Sequence, residues 1–232
     1  NKKGYESFDD VKKKGLTALD LTAFENLIQQ EEILVLDARS DKEFFQGFVP
    51  KSINIGLGGD FAPWVGALIK DVNQKMALIT EPGKEEEAIV RLSRVGFDQI
   101  EGYLVGGFET WKAAGKPIDT IHRIDADTFA SEVKIGESTI VDIRKEGEYA
   151  AEHVEEAYSK PLAYIDEWVK SVDTNQHFFL HCAGGYRSMI AASILKANGI
   201  SNFTEVAGGF NAIAKTSVPK TNFVCQSKVL NA

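Results

Sequence analysis

Apolar residues along this chain recur in two kinds of run. Continuous blocks such as Ile33-Leu34-Val35-Leu36 and Phe178-Phe179-Leu180 fit strands buried on both faces, whereas spaced sets such as Phe24, Leu27 and Ile28 fit one buried face of a helix. In the first half the pattern predicts a helix at 20–31 and strands at 33–37 and 52–55, then a helix near 62–71 and a strand at 76–80. A helix at 85–95, stopped by Gly96, and a strand at 99–103 follow. The second half predicts helices at 125–134, 161–171 and 188–198, with strands at 139–143, 177–181 and 202–206 between and after them. Such alternation implies an α/β fold, a mainly parallel sheet with helices on both faces.

The pattern also repeats. The strand end Asp37-Ala38-Arg39 returns as Asp142-Ile143-Arg144 about 105 positions later, and the pairs Glu43-Phe44 and Glu148-Tyr149 follow at the same offset. Val105-Gly106-Gly107-Phe108 is echoed by Ala207-Gly208-Gly209-Phe210. Three landmarks in one order at nearly constant spacing indicate two copies of a domain, placed here at 1–118 and 119–232, with a linker from 115 to about 123.

The segment with the clearest chemistry is the strand-loop-helix stretch at 178–199. In Cys182-Ala183-Gly184-Gly185-Tyr186-Arg187 two glycines let the backbone curl, so that several N–H groups can point at one centre and hold an anion there. Ser188 is expected as the N-cap of a helix that ends at Gly199. The helix dipole and Arg187 both favour a thiolate at Cys182, the condition for a nucleophilic cysteine. The bland reading of Cys182 is a small buried hydrophobe. His181 and His153 invite comparison with a Cys-His dyad, but a histidine at a strand end more often serves the structure. Trp64, Trp111 and Trp168 read as packing residues.

The strand end, the Cys-x4-Arg loop and the Ser directly after it resemble the active-site loop of the rhodanese (sulfurtransferase) superfamily. Tyrosine phosphatases use a similar cradle with one residue more, and phosphate or arsenate chemistry is the lesser alternative. The Asp-x-Arg strand end and Gly106-Gly107-Phe108-Glu109-Thr110-Trp111 are similar to framework features of the same family. The resemblance implies Cys182 as catalytic nucleophile with Arg187 binding the oxyanion end of a donor or steadying the loop. Ala183, Gly184, Gly185, Tyr186 and Ser188 would then bind substrate, and Asp142 and Arg144 would support the site. It also implies a small-molecule sulfur donor, thiosulfate or a persulfide, an acceptor thiol or cyanide, and no metal or organic cofactor. Tyr186 stands where many thiosulfate-using relatives carry a second cation, which points toward persulfide donors.

The first copy differs where the chemistry sits. Aligned with His181 to Ser188 it carries Thr80-Glu81-Pro82-Gly83-Lys84-Glu85-Glu86-Glu87, so a glutamate replaces the cysteine and Pro82 removes an N–H. Three further glutamates repel anions, and the first domain is expected to be catalytically inactive. Ser52 to Gly66 resembles the first rhodanese repeat of bacterial fusions with a metallo-β-lactamase-fold hydrolase or persulfide dioxygenase. Together with the missing initiator Met and a polar opening, this leads to the expectation of such a domain upstream. A non-catalytic docking module is the alternative of a different class.

Composition narrows the remainder. The formal net charge of −8 offers no basic surface for nucleic acid, and no run of 18 apolar residues would span a membrane. Two cysteines, Cys182 and Cys225, make no disulfide framework, so a reducing, cytoplasmic compartment is expected. Cys225 has no supporting motif and reads as a bystander.

Overall fold

The computed structural model describes residues 13–224, which divide into two compact units between Thr120 and Ile121. In the first, strand β1 (Ala18–Leu19) leads to helix α1 (Leu21–Ile28), whose start is fixed by Asp20: its carboxylate accepts the N–H of Ala23 at 2.8 Å. Strand β2 (Ile33–Asp37), helix α2 (Asp41–Phe44), strand β3 (Ile53–Asn54) and helix α3 (Phe61–Leu68) follow. Strand β4 (Lys75–Ile79), helix α4 (Glu85–Ser93), strand β5 (Ile100–Leu104) and helix α5 (Gly107–Ala113) complete the unit. All strand pairs are parallel, in the order β1-β5-β4-β2-β3.

The second unit repeats the plan. Strand β6 (Arg123–Ile124), helix α6 (Ala126–Glu132), strand β7 (Thr139–Asp142), helix α7 (Glu146–Ala151) and strand β8 (Tyr158–Ser159) come first. Helix α8 (Ile165–Trp168), strand β9 (Phe178–His181), helix α9 (Tyr186–Ala197), strand β10 (Phe203–Val206) and helix α10 (Gly209–Ile213) follow. The sheet order β6-β10-β9-β7-β8 matches that of the first unit position for position, and again every pair is parallel. Continuous apolar strands are what this geometry requires, because each sheet is covered on both faces. Phe24, Ala77, Ile79 and Trp111 pack together in the first unit, and Phe129, Ile140, Phe179 and Ile213 in the second.

Two expectations are corrected. The helix placed at 161–171 is a short α8 flanked by 3₁₀ turns at Leu162–Tyr164 and Val169–Ser171. Leu162, Ile165 and Trp168 are buried at every third position, the spacing that a three-residue turn keeps on one side, and Val169 is buried beside the last of them. Ser188 is not an N-cap: helix α9 begins at Tyr186 after Gly185, whose φ of 108° turns the chain early and puts Ser188 inside the first turn. The linker expected from 115 to about 123 meets β6 at its far end, where Arg123 pairs in register with Glu205 of β10. Short edge strands such as β1 and β8 carry too few residues to show a period.

Candidate active site

Strand β9 runs through the middle of the second sheet and delivers Cys182 at its carboxyl end, where parallel sheets present their ligand sites. The Gly185 N–H donates to Cys182 Sγ at 3.1 Å, and Ser188 Oγ lies 3.4 Å from the same sulfur. The first turn of a twelve-residue helix thus sits against the sulfur, with the positive end of its dipole nearest. The Ser188 hydroxyl is also 3.0 Å from the Gly185 carbonyl and 2.5 Å from Glu205 Oε1. Glu205 is fully buried and accepts a 2.7 Å bond from Arg123 Nε through its other oxygen. A chain of polar contacts therefore runs from the sulfur through Ser188 and Glu205 to the edge strand. In the first copy Tyr103 pairs with Ala18 at the register positions of Glu205 and Arg123, so this chain belongs to the cysteine-bearing unit. Sequence reasoning passed over Glu205; the signal was a lone acid inside a strand flanked by Phe203 and Val206.

The loop is held from behind by the Gly-Gly-Phe turn. The Phe210 N–H donates to the Cys182 carbonyl at 2.7 Å and the Asn211 N–H to the Ala183 carbonyl at 2.9 Å. Gly209 has φ of 52°, and a Cβ there would stand 2.3 Å from the Cys182 carbonyl oxygen, so glycine is needed for that approach. Of the loop residues, Cys182 and Gly185 are buried, Ala183, Tyr186 and Arg187 half-buried, and Gly184 exposed.

Asp142 and Arg144 form a buried clamp beneath the loop. Arg144 Nη2 reaches Asp142 Oδ2 at 2.6 Å and the Glu152 carbonyl at 2.7 Å, and its guanidinium lies 3.9 Å from the Phe210 ring centre. The first unit builds the same clamp from Asp37, Arg39 and Phe108, with the guanidinium 4.2 Å from the ring. A clamp present with and without the cysteine serves the frame of the fold.

His181 is fully buried, and its Nδ1 lies 3.2 Å from the Cys182 carbonyl. A carbonyl only accepts, so Nδ1 carries the proton and Nε2 is left bare, 4.0 Å from Asp142 Oδ2. Burial pushes the imidazole below its ordinary range, and it stays neutral. His153 stacks on Tyr149 and takes part in a different contact, Nδ1 to the Tyr149 carbonyl at 2.7 Å.

Arg187 turns to Glu148. Its Nη1 and Nη2 bond the two carboxylate oxygens at 2.6 and 2.8 Å, which holds Glu148 below the usual carboxylate range and raises Arg187. The sequence placed this guanidinium on a donor's oxyanion or in support of the loop; in the structure it closes the loop onto α7.

In the first unit a cavity of about 270 Å³ opens at the aligned position, lined among others by Arg39, Glu43, Glu81, Pro82 and Phe108. The neighbouring carboxyl of Glu43, the counterpart of Glu148, together with some burial, pushes the Glu81 carboxyl up. Cys225 lies outside the described residues. Trp111 and Trp168 are buried, each donating its indole N–H to a backbone carbonyl, while Trp64 is half-buried.

The rhodanese-like domain model matches residues 20–114 and 125–216. The chain belongs to the rhodanese family. Its two rhodanese-like domains coincide with the two parallel sheets. Among curated proteins the chain is 28% identical over 71 residues to the uncharacterized protein YqhL of Bacillus subtilis (strain 168), spanning 56% of that protein and 31% of this one. Among solved structures, a rhodanese-like domain protein from Staphylococcus aureus is 30% identical, with a TM-score of 0.38, covering 42% of this chain and 96% of its own. A thiosulfate sulfurtransferase from Pseudomonas aeruginosa is 17% identical with a TM-score of 0.40, covering 90% of this chain and 44% of its own. Among the described residues no helix is long and apolar enough to cross a membrane.

Proposed function

We propose that the second domain is a sulfurtransferase whose carrier is Cys182. The observation that supports it most is the Gly185 N–H aimed at Sγ from the first turn of α9, in a loop whose Cys-x4-Arg pattern matches the family's catalytic motif. The Cys182 thiolate attacks the outer sulfur of a persulfide R–S–SH; the S–S bond breaks, R–S⁻ leaves and Cys182–S–SH remains. With thiosulfate the leaving group is sulfite. An acceptor thiolate or cyanide then takes the outer sulfur, giving a new persulfide or thiocyanate and restoring the thiolate. The backbone donors of the loop stabilise the anionic sulfur in both halves, a contribution on the order of 2–4 kcal/mol for each well-placed donor. Ser188 supplies a further polar contact. Cys182 is itself only 1% exposed, so the donor's outer sulfur has to enter the loop to react.

The first domain, with Glu81 and Pro82 at the loop, is proposed as an inert partner, and this suits the docking role weighed for the chain as a whole. The proposed setting is cytoplasmic, with a metallo-β-lactamase-fold domain upstream that consumes a shared persulfide. Intact-protein mass after incubation with glutathione persulfide or thiosulfate tests the main reading. The expected result is a gain of about 32 Da, one sulfur, on Cys182, absent in Cys182→Ser together with all sulfur transfer to cyanide. Full transfer activity in Cys182→Ser would overturn it.

A further inference from the structure

Helix α7 begins beside the loop, and its third residue, Glu148, is fixed from its own side. Glu148 Oε2 accepts the Lys145 N–H at 3.1 Å, closing the helix start on itself. The corresponding Glu43 occupies the same place at the start of α2, although the residue aligned with Arg187 there is Glu86. The carboxylate is therefore placed by the helix start, and the arginine comes to it. Once there, it takes one oxygen to each terminal nitrogen of Arg187, at 2.6 and 2.8 Å, the fork-to-fork geometry that guanidinium otherwise offers an oxyanion ligand. A sulfonate approaching Cys182 would have to displace Glu148 or share the arginine with it, against the charge of the carboxylate. The other side chain of the loop's helical end, Tyr186, adds no cation.

Resting on the sulfurtransferase reading of Cys182, we infer that Glu148 sets donor selectivity: by occupying Arg187 it disfavours thiosulfate and leaves alkyl persulfides, whose leaving sulfur bears no oxyanion, as the preferred donors. Glu148 acts through Arg187 and is a positioning residue. Both donors deliver the same sulfur to Cys182, so the effect lies in recognition of the leaving half alone.

The test compares kcat/KM for thiosulfate and for glutathione persulfide, with cyanide as common acceptor, in wild type and Glu148→Gln. Glutamine keeps the side-chain shape and an oxygen for the Lys145 N–H. The expected result is a wild type that favours glutathione persulfide, and a Glu148→Gln protein whose thiosulfate kcat/KM is roughly tenfold higher, the size of one hydrogen bond to a charged group regained. Persulfide use should change less than about threefold, and added salt should erase the thiosulfate gain. Arg187→Gln, which leaves Glu148 without its cation, should lower thiosulfate use more than persulfide use. An unchanged donor ratio in Glu148→Gln, or equal losses for both donors in either variant, would show the ion pair to be structural only and sink the inference. If wild type took up no sulfur at Cys182 from either donor, the sulfurtransferase reading itself would fall; a normal adduct with an unmoved ratio would remove only the role given to Glu148.

Discussion

At the scale of single residues the site is governed by partners that neutralise one another. Asp142 with Arg144 and Glu148 with Arg187 each satisfy a charge that would be expensive to leave alone near a buried sulfur. His181 is the exception, a neutral ring whose Nε2 has no hydrogen-bond partner. Because its folded pKa is lowered while the unfolded chain returns to about 6.5, unfolding takes up a proton when pH drops below that value. Stability from the neutral ring is thus complete above about pH 6.5 and declines as pH falls from there, by at most ~1.4 kcal/mol per pH unit. Burial also lowers His177, so wild type and variant have to be compared directly. Urea midpoints between pH 7.5 and 5 should fall less steeply in His181→Gln than in wild type; parallel curves would mean that this imidazole does not titrate on unfolding.

At the scale of elements, loop and turn act as one piece. Gly209→Ala forces a Cβ against the Cys182 carbonyl, and Gly107→Ala forces one to 2.5 Å from the Thr80 carbonyl in the other domain. Each substitution also strains a left-handed backbone, at roughly 1–3 kcal/mol. Both variants should melt at lower temperature, but only Gly209→Ala should also lose sulfur loading at Cys182, as read by intact mass; normal loading in that variant would separate the turn from the loop. Much of this was legible in the sequence, because buried parallel strands announce themselves as apolar blocks and the duplicated landmarks fix their order. The Cys182 loop was legible through its glycines and spacing. What escaped notice depended on contacts between distant segments: Glu205 meets Arg123 across 82 positions, and Glu148 meets Arg187 across 39. The start of α9 was misplaced because serine is a common cap, yet Gly185 reaches a backbone angle that serine seldom takes.

At the scale of the whole molecule, two matched sheets carry unequal loops, a cysteine at one and a glutamate at the other. Saturating glutathione persulfide should load one sulfur per chain and leave Glu81→Gln protein indistinguishable from wild type, as counted by mass; a second sulfur on unaltered protein would mean that another residue, Cys225 included, takes part. The clamp of aspartate, arginine and phenylalanine is what makes this inequality tolerable. It ties each strand end to the Gly-Gly-Phe turn without using any side chain of the loop between β4 and α4 or between β9 and α9. A duplicated gene is then free to rewrite one loop while the fold around it stands. The two copies use that freedom differently, one cassette carrying Cys182 with two glycines and its twin Glu81 with Pro82.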